Sequence, residues 1–116
     1  RKQMDLYYKE LSYVVGITLR KIADWCDPVH WMMTLILDDK YDRDKCLSFM
    51  TINGIDCRQM INPVNVADHI KKKYADKYPV SKSISCQSIH LPSGLGLSKK
   101  TILNISLKLK EYLNKH

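Results

Sequence analysis

Residues 27–37 read DPVHWMMTLIL, and the conformation assigned to them decides how the rest of the chain is read. Asp27 followed by Pro28 is an N-cap with a proline at the first helical position, where the missing N–H costs nothing. On that reading Met32, Met33, Ile36 and Leu37 share the apolar face of a helix, Trp31 joins them in the core, and Asp38-Asp39 ends the element. With this segment helical, its neighbours are read to match, and the chain is predicted to be all-α, a compact single-domain bundle of about five helices.

Upstream, residues 4–26 place Met4, Tyr7, Leu11, Val14, Val15, Thr18, Ile22 and Trp25 on one helical face, predicting a long amphipathic first helix. A second ridge of Leu6, Tyr13 and Ile17 lies off that face. Downstream, Asp42 is placed to cap a short helix running through Phe49, with Cys46 and Phe49 turned inward. Asn53-Gly54, flanked by Ile52 and Ile55, is a turn signal that leaves room for a short hairpin, and Arg58 beyond it reads as an isolated surface arginine. Asn62-Pro63 repeats the cap-plus-proline start and predicts a helix to Tyr78, halted by Pro79, with Val66, Ala67, Ile70, Tyr74 and Tyr78 inward. The lysines at 71, 72 and 73 are partly neutralised there by Asp68 and Asp76. A further short helix after Ser83 turns Ile84, Cys86 and Ile89 inward and leaves Lys82 and Gln87 outside.

Residues 91–115, LPSGLGLSKKTILNISLKLKEYLNK, carry the strongest local signals. Pro92, Gly94 and Gly96 interrupt regular structure, Ser98 is an N-cap, and a helix is predicted from Lys99. Ile102, Ile105, Leu109 and Leu113 take one side of it, while Lys100, Asn104, Lys108 and Lys115 take the other. Charge points to the same end. Residues 1–60 hold nine Lys/Arg against nine Asp/Glu, whereas residues 79–116 hold six against one, so most of the net charge of +7 sits late in the chain. Uncompensated lysines beside a helix N-terminus suit a polyanion.

The length of 116 residues fits one domain, divided here into a first helix over residues 1–26 and a core over residues 27–116. Because the chain opens at Arg1, it reads as excised from a longer protein. The longest apolar run is well short of the roughly 18 residues of a membrane span. Four cysteines at 26, 46, 57 and 86 form no CxxC pair and read as reduced and intracellular. Cys26 with His30 and Cys86 with His90 have helical ligand spacing, yet burial in a core is the ordinary fate of such cysteines, and no metal is assigned. No H-E-x-x-H, G-x-S-x-G or P-loop pattern occurs, and GLGLSKKT lacks the P-loop spacing. The chain is accordingly read as no enzyme and as needing no cofactor.

Taken together, residues 27–54 (DPVHWMMTLILDDKYDRDKCLSFMTING) and 61–113 (a proline-started helix, an aromatic-Pro stop, a Cys-bearing segment and a final basic helix) resemble a BEN domain. That resemblance implies a helical bundle that binds DNA through its last helix and the preceding loop, or makes adaptor contacts in chromatin. It extends to poxviral BEN-containing early proteins, which places the chain in a cytoplasmic viral factory, or otherwise in the nucleus. The expected partner is double-stranded DNA. Ser93, Gly94, Gly96, Lys99, Lys100 and Lys108 would hold phosphates, Asn104 and Gln87 would touch base edges, and Lys82 would lie beside them. The alternative is a protein-interaction module, a homodimer or a protein partner meeting the second ridge or Leu103 and Leu107, with no membrane contact.

Overall fold

Residues 33–37 form a β-strand, and with it the all-α bundle gives way to a mixed α/β fold. The computed structural model describes residues 1–69, 73 and 77–116. Within them the chain runs α1 (Lys2–Leu11), β1 (Ile17–Leu19), β2 (Met33–Leu37), α2 (Arg43–Ile52), β3 (Arg58–Gln59), α3 (Pro79–Gln87), β4 (Ser88–Leu91) and α4 (Lys99–Lys115). The strands form one antiparallel sheet in the order β1-β2-β4-β3. Burial on β2 alternates, with Met33, Leu35 and Leu37 at 2% exposure or less and Thr34 and Ile36 only half-buried. That is the two-residue period of a strand rather than the 3.6 of a helix.

The long first helix is likewise shorter than expected. α1 buries Met4, Tyr7 and Leu11, but ends at Leu11. Val14, Val15, Ile17 and Thr18 are β-branched and stiff, and Gly16 between them adopts φ +97, a conformation that turns the chain into β1. The expected ridge therefore dissolves: Val15 and Trp25 are exposed. The second ridge dissolves with it, since Tyr13 is exposed and Ile17 belongs to β1.

α2 begins where expected. The Asp42 carboxylate accepts the backbone N–H groups of Asp44 at 2.9 Å and Lys45 at 3.0 Å, satisfying two donors of the first turn. No hairpin follows at Asn53-Gly54. Asn53 is the C-cap of α2, and Gly54 takes φ +75, the left-handed conformation that ends helices. After Pro63 the structure shows a single 3-10 turn at Val64–Val66, followed by Ala67 in an extended conformation. The expected inward positions Ile70 and Tyr74, together with Lys71, Lys72 and Asp76, lie outside the described residues. Pro79 starts α3 instead of stopping a helix, its ring sitting in the first turn. Within α3 Cys86 and Ile84 face outward, and Ile89 is buried as a residue of β4 rather than of a helix.

α4 is as the sequence reads. Ser98 Oγ accepts the Thr101 N–H at 3.1 Å, and Ile102, Ile105, Leu109 and Leu113 are buried. These side chains meet Met4, Tyr7 and Leu11 of α1 and the Met33, Leu35, Leu37, Ile89 and Leu91 face of the sheet in one core. Each such aliphatic or aromatic side chain contributes about 1.5–3 kcal/mol by leaving water. Polar ties fix the helices to the layer below: Tyr7 Oη donates to the Pro92 carbonyl at 2.8 Å, Tyr41 Oη to that of Leu113 at 3.2 Å, and Tyr112 Oη to that of Asp42 at 2.9 Å. The helices α1, α2 and α4 thus cover one face of the sheet through this core, leaving Thr34 and its cross-strand neighbours on the other.

Candidate functional site

Antiparallel pairing places Thr34 of β2 opposite His90 of β4, and His90 opposite Arg58 of β3. Three residues far apart in sequence thereby share one row on the face turned away from the helical core. His90 is 8% exposed. Its Nδ1 lies 2.8 Å from Thr34 Oγ1, while its Nε2 is buried with no hydrogen-bond partner among the described residues. Burial holds its pKa below the ordinary imidazole value. The ring is therefore neutral near pH 7, and its orphaned nitrogen is unusual, because buried polar atoms are almost always paired.

Two cavities open on either side of this imidazole. One, of about 260 Å³, is walled by Arg20, His30, Thr34 and Ile61; the other, of about 310 Å³, by Asp56, Arg58, Pro92 and Ser93. Trp31, Met32 and His90 line both, so the two form one groove on that face of the sheet. Arg20 reaches His30 Nδ1 at 3.5 Å, and Arg58 reaches Asp56 at 3.4 Å. Trp31, expected in the core, is 72% exposed at the rim, with Val29 and Ile61 also open to solvent. The groove thus combines guanidinium groups, an aromatic face and a buried neutral imidazole. A larger cavity of about 570 Å³ lies between α1 and the edge strand β1, but its walls include no buried titratable side chain.

The residues expected to hold DNA are placed otherwise. Ser93 alone among them lines the groove, and its hydroxyl is engaged, accepting from Met33 N–H at 3.1 Å and donating to the Leu91 carbonyl at 3.0 Å. The Gly94 carbonyl accepts from Gln3 Nε2 at 3.0 Å, while Gly96 stands in open space. Lys99, Lys100 and Asn104 are exposed on α4, but Lys108 is bound to Glu111 at 2.9 Å. Lys82 is exposed on α3, and Gln87 is hydrogen-bonded to Asp39. Leu103 and Leu107 are 36% and 54% exposed. Cys26 and Cys86 are exposed rather than buried, and among the described residues no group of three or more His, Cys, Asp or Glu side chains is placed to hold a metal.

The sequence offers Trp31 as a possible pocket residue, Arg58 as a possible DNA contact and His90 as a possible metal ligand, each set below a plainer reading, but it does not join them with Arg20 into one site. Arg58 and Trp31 look ordinary in isolation, and only strand pairing brings them to one imidazole.

Residues 1–110 match the model of the DegT/DnrJ/EryC1/StrS aminotransferase family. The chain is 31% identical over 115 residues to a GDP-perosamine synthase of Vibrio cholerae, covering 95% of this chain and 30% of that protein. It superposes on the aminotransferase TlmJ of Streptoalloteichus hindustanus with a TM-score of 0.87 at 15% identity, covering 99% of this chain and 31% of that one. The corresponding values for S. venezuelae DesV, solved in complex with a ketimine intermediate, are 0.85 and 24%, covering 96% and 30%. The chain therefore spans about 30% of the length of the relatives it matches. These findings overturn the BEN-domain resemblance and, with it, DNA binding, the double-stranded DNA partner, the adaptor alternative and the non-enzyme reading. The viral factory and the nucleus lose their support as locations. What stands is narrower: among the described residues no helix is long and apolar enough to cross a membrane. The physical reason for the error is that a lysine-rich helix is also what a solvated enzyme surface carries, and Lys108 and Lys110 spend their charge on Glu111 and Glu10.

Proposed function

Because the chain belongs to the DegT/DnrJ/EryC1/StrS aminotransferase family, we propose that it is one structural unit of an enzyme that transfers an amino group to or from a nucleotide-linked sugar. The observation that carries this reading is its identity to GDP-perosamine synthase along nearly the whole chain. Pyridoxal phosphate, the cofactor such a family implies, supplies the aldehyde that takes up the amino group in transit.

The described residues do not fit the holding of that cofactor. Its aldehyde needs a lysine amine in a sheltered pocket, and its ring nitrogen needs an acidic partner. No described lysine is buried, and the half-buried pair, Lys108 and Lys110, are tied to Glu111 at 2.9 Å and Glu10 at 3.2 Å. The cofactor's holders are therefore assigned to the portion of the relatives' length that this chain does not span. The role left to this chain is to wall the substrate side of the site with the groove around His90.

The test uses the natural full-length polypeptide carrying this chain, loaded with pyridoxal phosphate and supplied with GDP-perosamine and a 2-oxo acid. The expected result is an amino acid formed from the oxo acid and a GDP-linked keto sugar, both read by mass spectrometry. Absence of amino transfer with GDP-linked and TDP-linked amino sugars alike, from a cofactor-loaded protein, would overturn the reading.

A further inference from the structure

We propose that the open edge of β1 is a docking surface for an extended, carboxylate-bearing segment from elsewhere in the same full-length polypeptide, which adds to the sheet as one more strand. This docking does not depend on the amino-transfer reaction, so either can fail while the other stands.

The backbone makes the first demand. β1 ends the strand order β1-β2-β4-β3, so one of its two edges has no neighbouring strand among the described residues. Its register fixes which groups are left over. The Asp38 N–H donates to the Gly16 carbonyl at 3.0 Å, one step before the Ile17–Leu37 pair. In an antiparallel ladder hydrogen-bonded and non-hydrogen-bonded pairs alternate, so the next bonded pair after Gly16 and Asp38 is Thr18 with Ile36. Ile17 and Leu19 therefore aim their N–H and C=O groups away from β2. A strand lying about 4.8 Å beyond β1 would satisfy all four groups, and an unguarded edge is a template for such pairing.

The side chains and charges then narrow the occupant. The cavity of about 570 Å³ along this edge has Tyr8 and Leu11 of α1 on one wall and β1 on the other. Ile17 and Leu19 pack on the core yet stay half-buried, while Tyr13 and Val15 just ahead of them are 93% and 83% exposed. Alternate apolar side chains of an added strand would cover them, which is how strand addition gains specificity beyond its main-chain bonds. The cavity walls also carry Arg20 and Lys21 and no carboxylate, so the incoming segment is matched by Asp or Glu at that end. A second copy of β1 would instead bring its own Arg20 and Lys21 to a groove that already holds both. The chain spans about 30% of the length of its relatives, and a segment tethered in the same polypeptide acts at an effective concentration of roughly millimolar.

The experiment is amide hydrogen exchange on the full-length polypeptide, resolved by residue with mass spectrometry at two widely separated protein concentrations. The expected result is that the Ile17 and Leu19 amides exchange as slowly as that of Thr18 at both concentrations. Lys21 is exposed, so its replacement spares the core. Lys21→Glu should speed exchange at Ile17 and Leu19 about threefold or more while Thr18 stays protected, and Lys21→Arg should leave both slow. Carbodiimide coupling gives a second readout, since it condenses an amine with a carboxylate in contact with it. In an equal mixture of nitrogen-15-labelled and unlabelled protein, Lys21 should couple within one copy, to an Asp or Glu outside residues 1–116. The proposal is overturned if Ile17 and Leu19 exchange at the rate of free amides, or if Lys21→Glu leaves both as slow as in the wild type. It is equally overturned if protection appears only at the higher concentration, or if mixed-label links join two copies.

Discussion

Two residues set the local limits of this structure. Gly16 sits at φ +97, and a Cβ added there would lie 2.6 Å from Tyr41 Cε2. The tyrosine cannot swing aside freely, because its hydroxyl holds the Leu113 carbonyl at the end of α4. Gly16→Ala should therefore destabilise the fold by about 2 kcal/mol or more, seen as a lowered urea midpoint. Gly94→Ala, with nothing within 4 Å of the added carbon, should change it by under about 0.5 kcal/mol. His90 imposes a pH dependence. Its folded pKa is held by burial below the ordinary imidazole value of about 6.5, so as pH falls the unfolded chain takes up the proton first. Stability from the neutral ring is full above that value and declines as pH drops from it toward the folded pKa. Urea midpoints measured from about pH 7 down to about pH 5 should fall along this slope in the wild type and be flatter in His90→Gln, which stays neutral throughout.

At the scale of elements, β2 is the strand on which both layers depend. Its pairing with β4 aligns Met33 with Leu91 and Leu35 with Ile89 toward the helices, and Thr34 with His90 and Ile36 with Ser88 away from them. A substitution should be felt according to the face it occupies. Leu35, fully buried, should cost about 2–5 kcal/mol as Leu35→Ala, whereas Ile36→Val on the half-buried face should cost about 1 kcal/mol or less. Equal costs in chemical denaturation would contradict the alternation. α4 presents the opposite case, an element whose cap and buried stripe are both local. There the Ser98 hydroxyl and the Ile102, Ile105, Leu109 and Leu113 row suffice to define start and facing before any partner is known.

At the scale of the whole molecule, the core sorts the four cysteines by burial. Cys46 and Cys57 lie within it, and burial pushes each thiol up to about 12, while Cys26 and Cys86 are exposed. Since the thiolate is the species that alkylates, iodoacetamide near neutral pH should label Cys26 and Cys86 in the folded chain and reach Cys46 and Cys57 only in denaturant. Peptide mass mapping reads the result, and rapid labelling of Cys46 would place the core elsewhere.

The sequence by itself determined the elements whose signals are closed within a turn or two: α2 from its Asp42 cap, α4 from its Ser98 cap and apolar stripe, and the first turns of α1 through Met4, Tyr7 and Leu11. Only the tertiary structure decided the sheet and the groove. An apolar run such as residues 33–37 buries equally well as helix or strand, and what selects the strand is β4, whose partner residues Leu91 and Ile89 lie more than fifty positions away. The row of Thr34, His90 and Arg58 exists only once that pairing has formed. No local pattern encodes it, because its members meet through backbone hydrogen bonds between strands rather than through their spacing along the chain.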